Sequence, residues 1–222
     1  MKYYGRISSI GLSFVIQSFY VIYFYHFLGK QPELVLWCAY PALLGVFYWM
    51  GRQYDKATYY SERDPLTNLY NRRFISHVFD KIQAIASRSN SQIFVLLIDC
   101  DNFKQINDQY NHHMGDTVLR QISRMLVMST RKSDLVARWG GDEFLIVGHY
   151  KDDEGLQVLI QRILESCGNI QIAKGIRVSV SVGSAVSTSH LQDDLTYLIK
   201  IADENMYGSK SRIEKTEKLP PK

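Results

Sequence analysis

The chain has 222 residues, enough for one ordinary domain and an appendage. Charged residues make up 22% and the formal net charge is only +4, so no basic face is offered to nucleic acid. Three scattered cysteines (Cys38, Cys100 and Cys167), with no CxxC or Cys/His spacing, argue against a disulfide framework or a structural zinc site and fit a reducing compartment.

From Ile7 to Leu28 the chain has no Asp, Glu, Lys or Arg, and after the break GKQPE a second uncharged run extends from Leu34 to Met50. A spanning helix needs about 20 apolar residues and at least roughly 17, so the first run fits and the second just reaches. Tyrosines and tryptophans crowd both, as in interfacial belts. The first run is too long for a signal-peptide core and lacks a small-residue cleavage site. Residues 1–51 are therefore expected to form a membrane hairpin with spans at about 7–28 and 34–50. Lys2 and Arg6 precede it, Arg52, Lys56 and Arg63 follow it, and the loop has only Lys30, offset by Glu33. This bias predicts a multi-pass protein of the cell inner (plasma) membrane with both ends cytoplasmic. The loop is too short to fold as a sensor. Residues 52–63 should continue the second helix as a linker, under two heptads and too short to establish a coiled coil.

Beyond Asp64, helical and strand patterns alternate. A turn leads into a helix with Phe74, Val78, Ile82 and Ile85 on its apolar stripe. Ile93–Ile98, IFVLLI, reads as a strand buried on both faces. A helix starts near Asn102, and a longer one follows in MGDTVLRQISRMLVMST. Leu135–Trp139 and Phe144–Val147 form a hairpin, Leu156–Ser166 a helix, Ile176–Val186 one strand, and Asp193–Lys210 the last helix. The predicted fold class is α/β (α+β), a central sheet covered by helices over residues 64–212. The charged tail 213–222, ending in two prolines, is expected to be disordered.

Acids gather at two strand ends. IFVLLI runs into Asp99-Cys100-Asp101, and the hairpin tip reads Gly140-Gly141-Asp142-Glu143. Residues two apart in a strand share a face, so Asp99 and Asp101 could both project, or one could turn away. Carboxylates clustered at one sheet edge repel each other unless a cation neutralises them, and Mg²⁺ held by one or two carboxylates plus substrate phosphates is the usual solution. The glycines would allow positive φ in a tight turn and close approach of a ligand. A plain hairpin with solvated acids needs only the glycines. The acid-ended apolar strand beside it favours a metal–phosphate site.

GGDEF at 140–144, DPLTNLYNRR at 64–73, DCDNFKQINDQYNHHMGD at 99–116 and ADENMYGSK at 202–210 resemble, in order and spacing, the blocks of the GGDEF-domain diguanylate cyclases. The resemblance implies a palm-like nucleotidyl-cyclase fold and a homodimer that condenses two GTP into cyclic di-GMP, releasing pyrophosphate, with Mg²⁺ or Mn²⁺. It implies metal contacts from Asp99, the carbonyl of Cys100 and Asp142. Asp142 would also help deprotonate the attacking hydroxyl, Glu143 would support the metals, and Lys104 would stabilise phosphate charge. Asn107 and Asp116 would read guanine, His112 would contact the nucleotide, and Lys210 would hold the triphosphate. An aspartate and an asparagine can together satisfy guanine's donors and acceptors in a way adenine cannot reciprocate. Taken singly, Asn107 could be an ordinary helix residue, Lys104 a solvated side chain and Asp116 a helix N-cap.

Several positions depart from the family pattern. Asn68 and Asn111 stand where glycine is usual, and asparagine tolerates left-handed backbone better than most residues. The closing Gly-Arg-Asn is absent, with Glu214 where an arginine is expected and Arg212 nearby. Arg131 and Asp134 form an R-x-x-D five residues before GGDEF, where the family carries a product-inhibition site. Arginine suits phosphate and guanine, while a surface ion pair at a helix end is the plainer reading. Two other functions compete: a catalytically impaired module that senses cyclic di-GMP or GTP, and a cyclase acting on ATP, which the guanine-reading pair disfavours.

Overall fold

The computed structural model describes residues 3–27, 29, 34–172, 176–188 and 193–217. It divides into two compact units, Met1–Glu62 and Arg63–Lys222.

The first unit is a pair of helices, α1 (Tyr4–Phe27) and α2 (Leu34–Glu62). Small residues let them touch backbone to backbone: a Cβ on Gly5 would stand 2.8 Å from the Gly51 carbonyl oxygen. The buried Asp55 carboxylate accepts from the Gly5 amide at 2.7 Å and pairs with Arg6 Nε at 3.1 Å. The start of α1 therefore lies beside the far end of α2, and the two helices run antiparallel. Within α1, Gln17 donates to the Ser13 hydroxyl, 2.7 Å away, and both are buried. Among the described residues α1 alone is long and apolar enough to cross a membrane, with mean hydropathy 1.6. The expected two-span hairpin thus reduces to one span by this measure. The uncharged run of α2 stops at Met50, and its remaining turns carry Arg52, Asp55, Lys56 and Glu62. Those turns are continuous helix, as expected for the linker. The loop residues Lys30 and Glu33 lie outside the described residues.

The second unit contains β1 (Tyr70–Asn71), α3 (Arg72–Arg88), β2 (Gln92–Cys100), α4 (Phe103–Tyr110), α5 (His112–Ser129), β3 (Leu135–Arg138) and β4 (Glu143–Tyr150). They are followed by α6 (Asp153–Gly168), β5 (Gln171–Ile172), β6 (Ile176–Arg177), β7 (Val180–Val186) and α7 (Leu195–Glu217). Five strands form one sheet in the order β1-β3-β4-β2-β7, antiparallel except for the β1–β3 pair; β5 and β6 make a small separate ribbon. Alternate side chains of the central strands feed two cores, as the pleat dictates. Val95, Leu97, Leu145 and Val147 meet Ile75 and Phe79 of α3 and Leu198 and Ala202 of α7. On the other face, Leu96, Ile98, Phe144 and Ile146 meet Ile106, Leu119, Ile122 and Ile163 of α4–α6. This is the sheet covered by helices that the alternation predicted.

Details differ from the expectations. The buried line of α3 is Ile75, Phe79 and Ala86, while Ile85 is exposed, so the stripe is rotated by one residue. The expected strand Ile176–Val186 is broken between β6 and β7, and the two-residue strands β1 and β5 carry too little pattern to announce themselves. The final helix runs to Glu217, into the segment expected to be a tail. IEKTE is made of good helix formers, and the helix-stopping prolines come only at 220 and 221.

Candidate active site

The antiparallel register of β2 and β4 pairs Asp99 with Glu143 directly, ending the apolar runs of both strands in acids on the same face. The hairpin closes when the Trp139 and Gly140 amides donate to the Glu143 carbonyl at 2.8 and 3.2 Å. Neither Gly140 nor Gly141 has positive φ, contrary to the turn expected. Gly140 instead provides space: a Cβ there would stand 2.5 Å from Glu143 Oε2, so the carboxylate tip folds over the bare Cα and would have to shift if a side chain stood there. Burial raises the proton affinity of Glu143, and the neighbouring Asp99, Asp142 and Asp203 carboxylates raise it further, with Arg72 the opposing charge. That shift is the electrostatic signature of crowded acids.

Cys100 donates its amide to the Asp142 carbonyl at 3.2 Å. Among the described residues the reciprocal bond, from the Asp142 amide to the Cys100 carbonyl, is not made. The ladder opens here, with a carbonyl facing the hairpin beside Asp99 and Asp142. The Cys100 thiol points into the core, and burial, with Asp101, Asp142 and Asp99 nearby, pushes it up to about 12, so it stays protonated. Asp101 turns towards β7, where its carboxylate accepts from the Ser181 hydroxyl at 2.6 Å.

No three His, Cys, Asp or Glu side chains gather to hold a metal among the described residues. Two carboxylates and a carbonyl are an incomplete oxygen set, of the kind that suits a hard cation arriving with phosphates rather than a resident ion in a protein cage. The donors fit Mg²⁺ on that condition.

The turn is braced from behind. Arg138 donates through Nε and Nη2 to the Gly141 carbonyl, at 3.1 and 2.7 Å, and through Nη1 to both oxygens of Asp64 at 3.2 Å. Asp64 also accepts from the Thr67 amide (2.8 Å) and hydroxyl (2.7 Å). Burial alone would raise its pKa, but the Thr67 hydrogen bonds and the Arg138 guanidinium outweigh it and hold the carboxyl below its ordinary value. Neither Arg138, two residues before GGDEF, nor Asp64, which opens the DPLTNLYNRR block, stood out in the sequence. Arg72, stacked over Trp139 at 4.7 Å, was missed as well.

On α4, Lys104 is exposed in the first turn. Asn107 is half-buried, and its Oδ1 is buried without a hydrogen-bond partner. It fills the space where a Cβ of Gly115 would stand. A buried amide oxygen left without a partner calls for an explanation, and the edge of a polar ligand is one. Asp116 is half-buried one residue on. It does not cap α5, because that helix begins at His112, with Asn111 Oδ1 accepting from the His113 and Met114 amides at 3.0 and 3.2 Å. His112 is exposed, as is His113, which has no motif role. Lys210 lies in α7, but its side chain, like those of Arg212 and Glu214, is outside the described residues.

The family profile for the diguanylate cyclase GGDEF domain matches residues 61–216. The chain belongs to the GGDEF family. It is 38% identical over 153 residues to diguanylate cyclase DosC of Escherichia coli, covering 67% of this chain and 33% of DosC. It is 33% identical over 165 residues to the cyclic di-GMP phosphodiesterase PdeR of Escherichia coli, covering 72% of this chain and 24% of PdeR. The isolated GGDEF domain of TpbB (YfiN) from Pseudomonas aeruginosa superimposes with a TM-score of 0.63 at 34% identity, over 68% of this chain and 89% of that one. The chain thus spans about a third or less of the length of these two curated relatives. Because one of them is named for a phosphodiesterase, the activity has to be argued from the site.

This GGDEF domain has a second polar concavity. Arg131 and Asp134 are joined by a turn, the Arg131 amide donating to the Asp134 carboxylate at 2.9 Å and the Asp134 amide to the Arg131 carbonyl at 3.0 Å. Among the described residues no Arg131–Asp134 side-chain ion pair is made. The exposed guanidinium instead lines a cleft with Phe94, His149, Tyr150 and Arg162. Arg162 lies 31 positions from Arg131, on α6, and only the fold brings them together.

Proposed function

We propose that this chain is a diguanylate cyclase that joins two GTP into cyclic di-GMP with release of two pyrophosphates. The observation that carries the reading is the Asp99–Glu143 cross-strand pair with Asp142 in the adjoining turn, three carboxylates brought to one sheet edge. Asn107 offers its unpartnered oxygen to guanine's donors, and Asp116 accepts from the same edge. Lys104 and Lys210 suit phosphate as point charges. His112, exposed at the start of α5, contacts the nucleotide. Asp142 takes the proton of the attacking 3′-hydroxyl as the new bond to the α-phosphorus forms and pyrophosphate leaves, and Glu143 keeps the acid edge negative. Mg²⁺, or Mn²⁺ in its place, would be held by Asp99, Asp142 and the Cys100 carbonyl. When bound it supplies positive charge to the triphosphate and lowers the proton affinity of the hydroxyl.

One chain offers one acid edge and one guanine recess, whereas the product needs two facing sites, so the active form is a homodimer. Residues 1–51 anchor it to the inner membrane with the catalytic unit in the cytoplasm. The antiparallel Arg6–Asp55 and Gly5–Gly51 contacts favour Leu34–Met50 as the returning span, because they keep both ends on one side. The Arg131–Asp134 cleft is read as the product-inhibition site. The same cleft favours, as second reading, a domain that binds cyclic di-GMP without turnover.

Purified full-length protein incubated with Mg²⁺ and either GTP or ATP separates the readings. Cyclic di-GMP from GTP alone, with specific activity that climbs with protein concentration, is expected. No product from either nucleotide would leave the binding module, and product from ATP would overturn the guanine assignment.

A further inference from the structure

At the end of β2 the two neighbouring strands hold the chain unequally. On the β7 side the ladder continues past Cys100, with the Asp101 amide donating to the Ser179 carbonyl at 3.1 Å. On the β4 side it stops at the Cys100 amide, leaving the Cys100 carbonyl open towards the hairpin. The orientation of the Cys100–Asp101 peptide, and of the Asp99 side chain one residue before, therefore depends on how firmly β7 grips the strand exit. Ser181 supplies that grip. It stands directly opposite Asp99 in the β2–β7 register, is buried, and donates to the Asp101 carboxylate at 2.6 Å, a short charge-assisted bond. The same bond holds the Asp101 carboxylate on the β7 side of the strand exit, whereas Asp142 and Glu143 belong to the β4 side, where a further negative group would add repulsion.

We infer that Ser181 and Asp101 are positioning residues for the acid edge: the hydroxyl–carboxylate bond fixes the strand exit so that the Cys100 carbonyl and the Asp99 carboxylate face the hairpin together. The inference rests on the cyclase reading. Partners behind a ligand set typically change metal affinity by about 10–100-fold when removed. Ser181→Ala deletes one oxygen and leaves the backbone ladder in place, while Ser181→Thr keeps the hydroxyl.

The test measures Mn²⁺ binding by electron paramagnetic resonance to full-length protein in detergent, saturated with a GTP analogue carrying a methylene bridge between the α- and β-phosphorus atoms. Ser181→Ala should weaken Mn²⁺ binding about tenfold. The Mg²⁺ concentration for half-maximal turnover should rise in parallel, while KM for GTP at saturating Mg²⁺ stays within about twofold. Ser181→Thr should restore both metal readouts, and the melting temperatures of the two variants should agree. Wild-type affinity in Ser181→Ala, or a defect of equal size in Ser181→Thr, would overturn the positioning role. A wild-type protein that binds no Mn²⁺ with the analogue and makes no cyclic di-GMP would instead bring down the cyclase reading beneath it.

Discussion

Arg138 connects the entrance of the catalytic unit to the tip of its hairpin, and replacing it with lysine tests whether that brace matters. The guanidinium makes two hydrogen bonds to the Gly141 carbonyl and one to each oxygen of Asp64. A lysine keeps the charge but cannot form the planar fork, so it can serve one partner and must desert the other. Hydrogen bonds to charged groups contribute about 1.5–3 kcal/mol each when well shielded. Both side chains are only partly shielded, at 18% and 16% exposure, so a total loss near the low end, about 2 kcal/mol, is expected. In a unit of this size that lowers the melting temperature by roughly 4–8 °C, readable by circular dichroism. Asp64→Asn should cost less than that on top of Arg138→Lys, with a coupling of about 1 kcal/mol in a double-mutant cycle. The depressed pKa of Asp64 fixes the pH dependence. The pair stabilises the fold above the ordinary carboxylate pKa of about 4, and that stabilisation is lost as pH falls through the lower folded value. The gap between wild type and Asp64→Asn should thus be constant from neutral pH to about pH 5 and close in acid. Cyclase activity of Arg138→Lys should fall tenfold or more, since displacements of about 1 Å can cost on the order of a hundredfold. Unchanged melting, unchanged turnover and zero coupling would refute the brace.

Asp142→Ala should abolish cyclic di-GMP synthesis by a loss of at least about 10³-fold while melting within about 2 °C of wild type, because the half-buried side chain contributes no core packing; product analysis by chromatography decides it. Arg131→Ala and Arg162→Ala should each relieve inhibition by added cyclic di-GMP and leave the uninhibited rate within about twofold; a wild-type rate insensitive to micromolar product would end that assignment. Glu143→Gln should melt higher than wild type at neutral pH, on the order of 2 °C. The raised folded pKa of Glu143 means its stabilising contribution is present below the unfolded value near 4.3 and lost as pH rises through the folded one. The advantage of the variant should therefore vanish below about pH 4, and a variant less stable than wild type at pH 7 would contradict the crowding of acids.

What could be read in the sequence was whatever has a long period or a rare residue. Nine residues of β2, seven of them buried, announced a central strand, and the acids ending it and the hairpin pointed to one edge of the sheet. Register then joined them, which no local pattern could do. Asn68 and Asn111 were also legible: both take positive φ, 59° and 76°, as residues standing in for glycine must. The role of Gly140 was not. A double glycine suggests left-handed backbone, but what the turn shows is the Glu143 carboxylate folded over Gly140, a contact visible only when the carboxylate is in place. Arg138, Ser181 and Arg162 were missed because they act across 74, 80 and 31 positions, and arginines and serines are too common to stand out alone. The α3 stripe slipped by one position because Phe74 and Ile75 are both apolar, leaving its phase undetermined over four turns.

The brace also reaches the first residues of the second unit. Polar and small-residue contacts within the first unit, Gly5 on Gly51 and Arg6 on Asp55, tie α1 to α2 and leave Ile16, Phe19 and Tyr23 exposed. Confinement in a bilayer raises the effective concentration of two chains without any new contact. α2 is helical from Leu34 to Glu62, with Pro41 inside it, and the second unit begins at the next residue, Arg63. Arg63 donates to the Asn68 carbonyl and stacks over Tyr70, and the next residue, Asp64, holds Arg138. Within the second unit, the Arg63–Tyr70 stacking, the Asp64–Arg138 ion pair and the two hydrogen bonds to the Gly141 carbonyl thus run from the first residue of that unit to the acid hairpin, so replacing Arg138 cuts the brace at its middle.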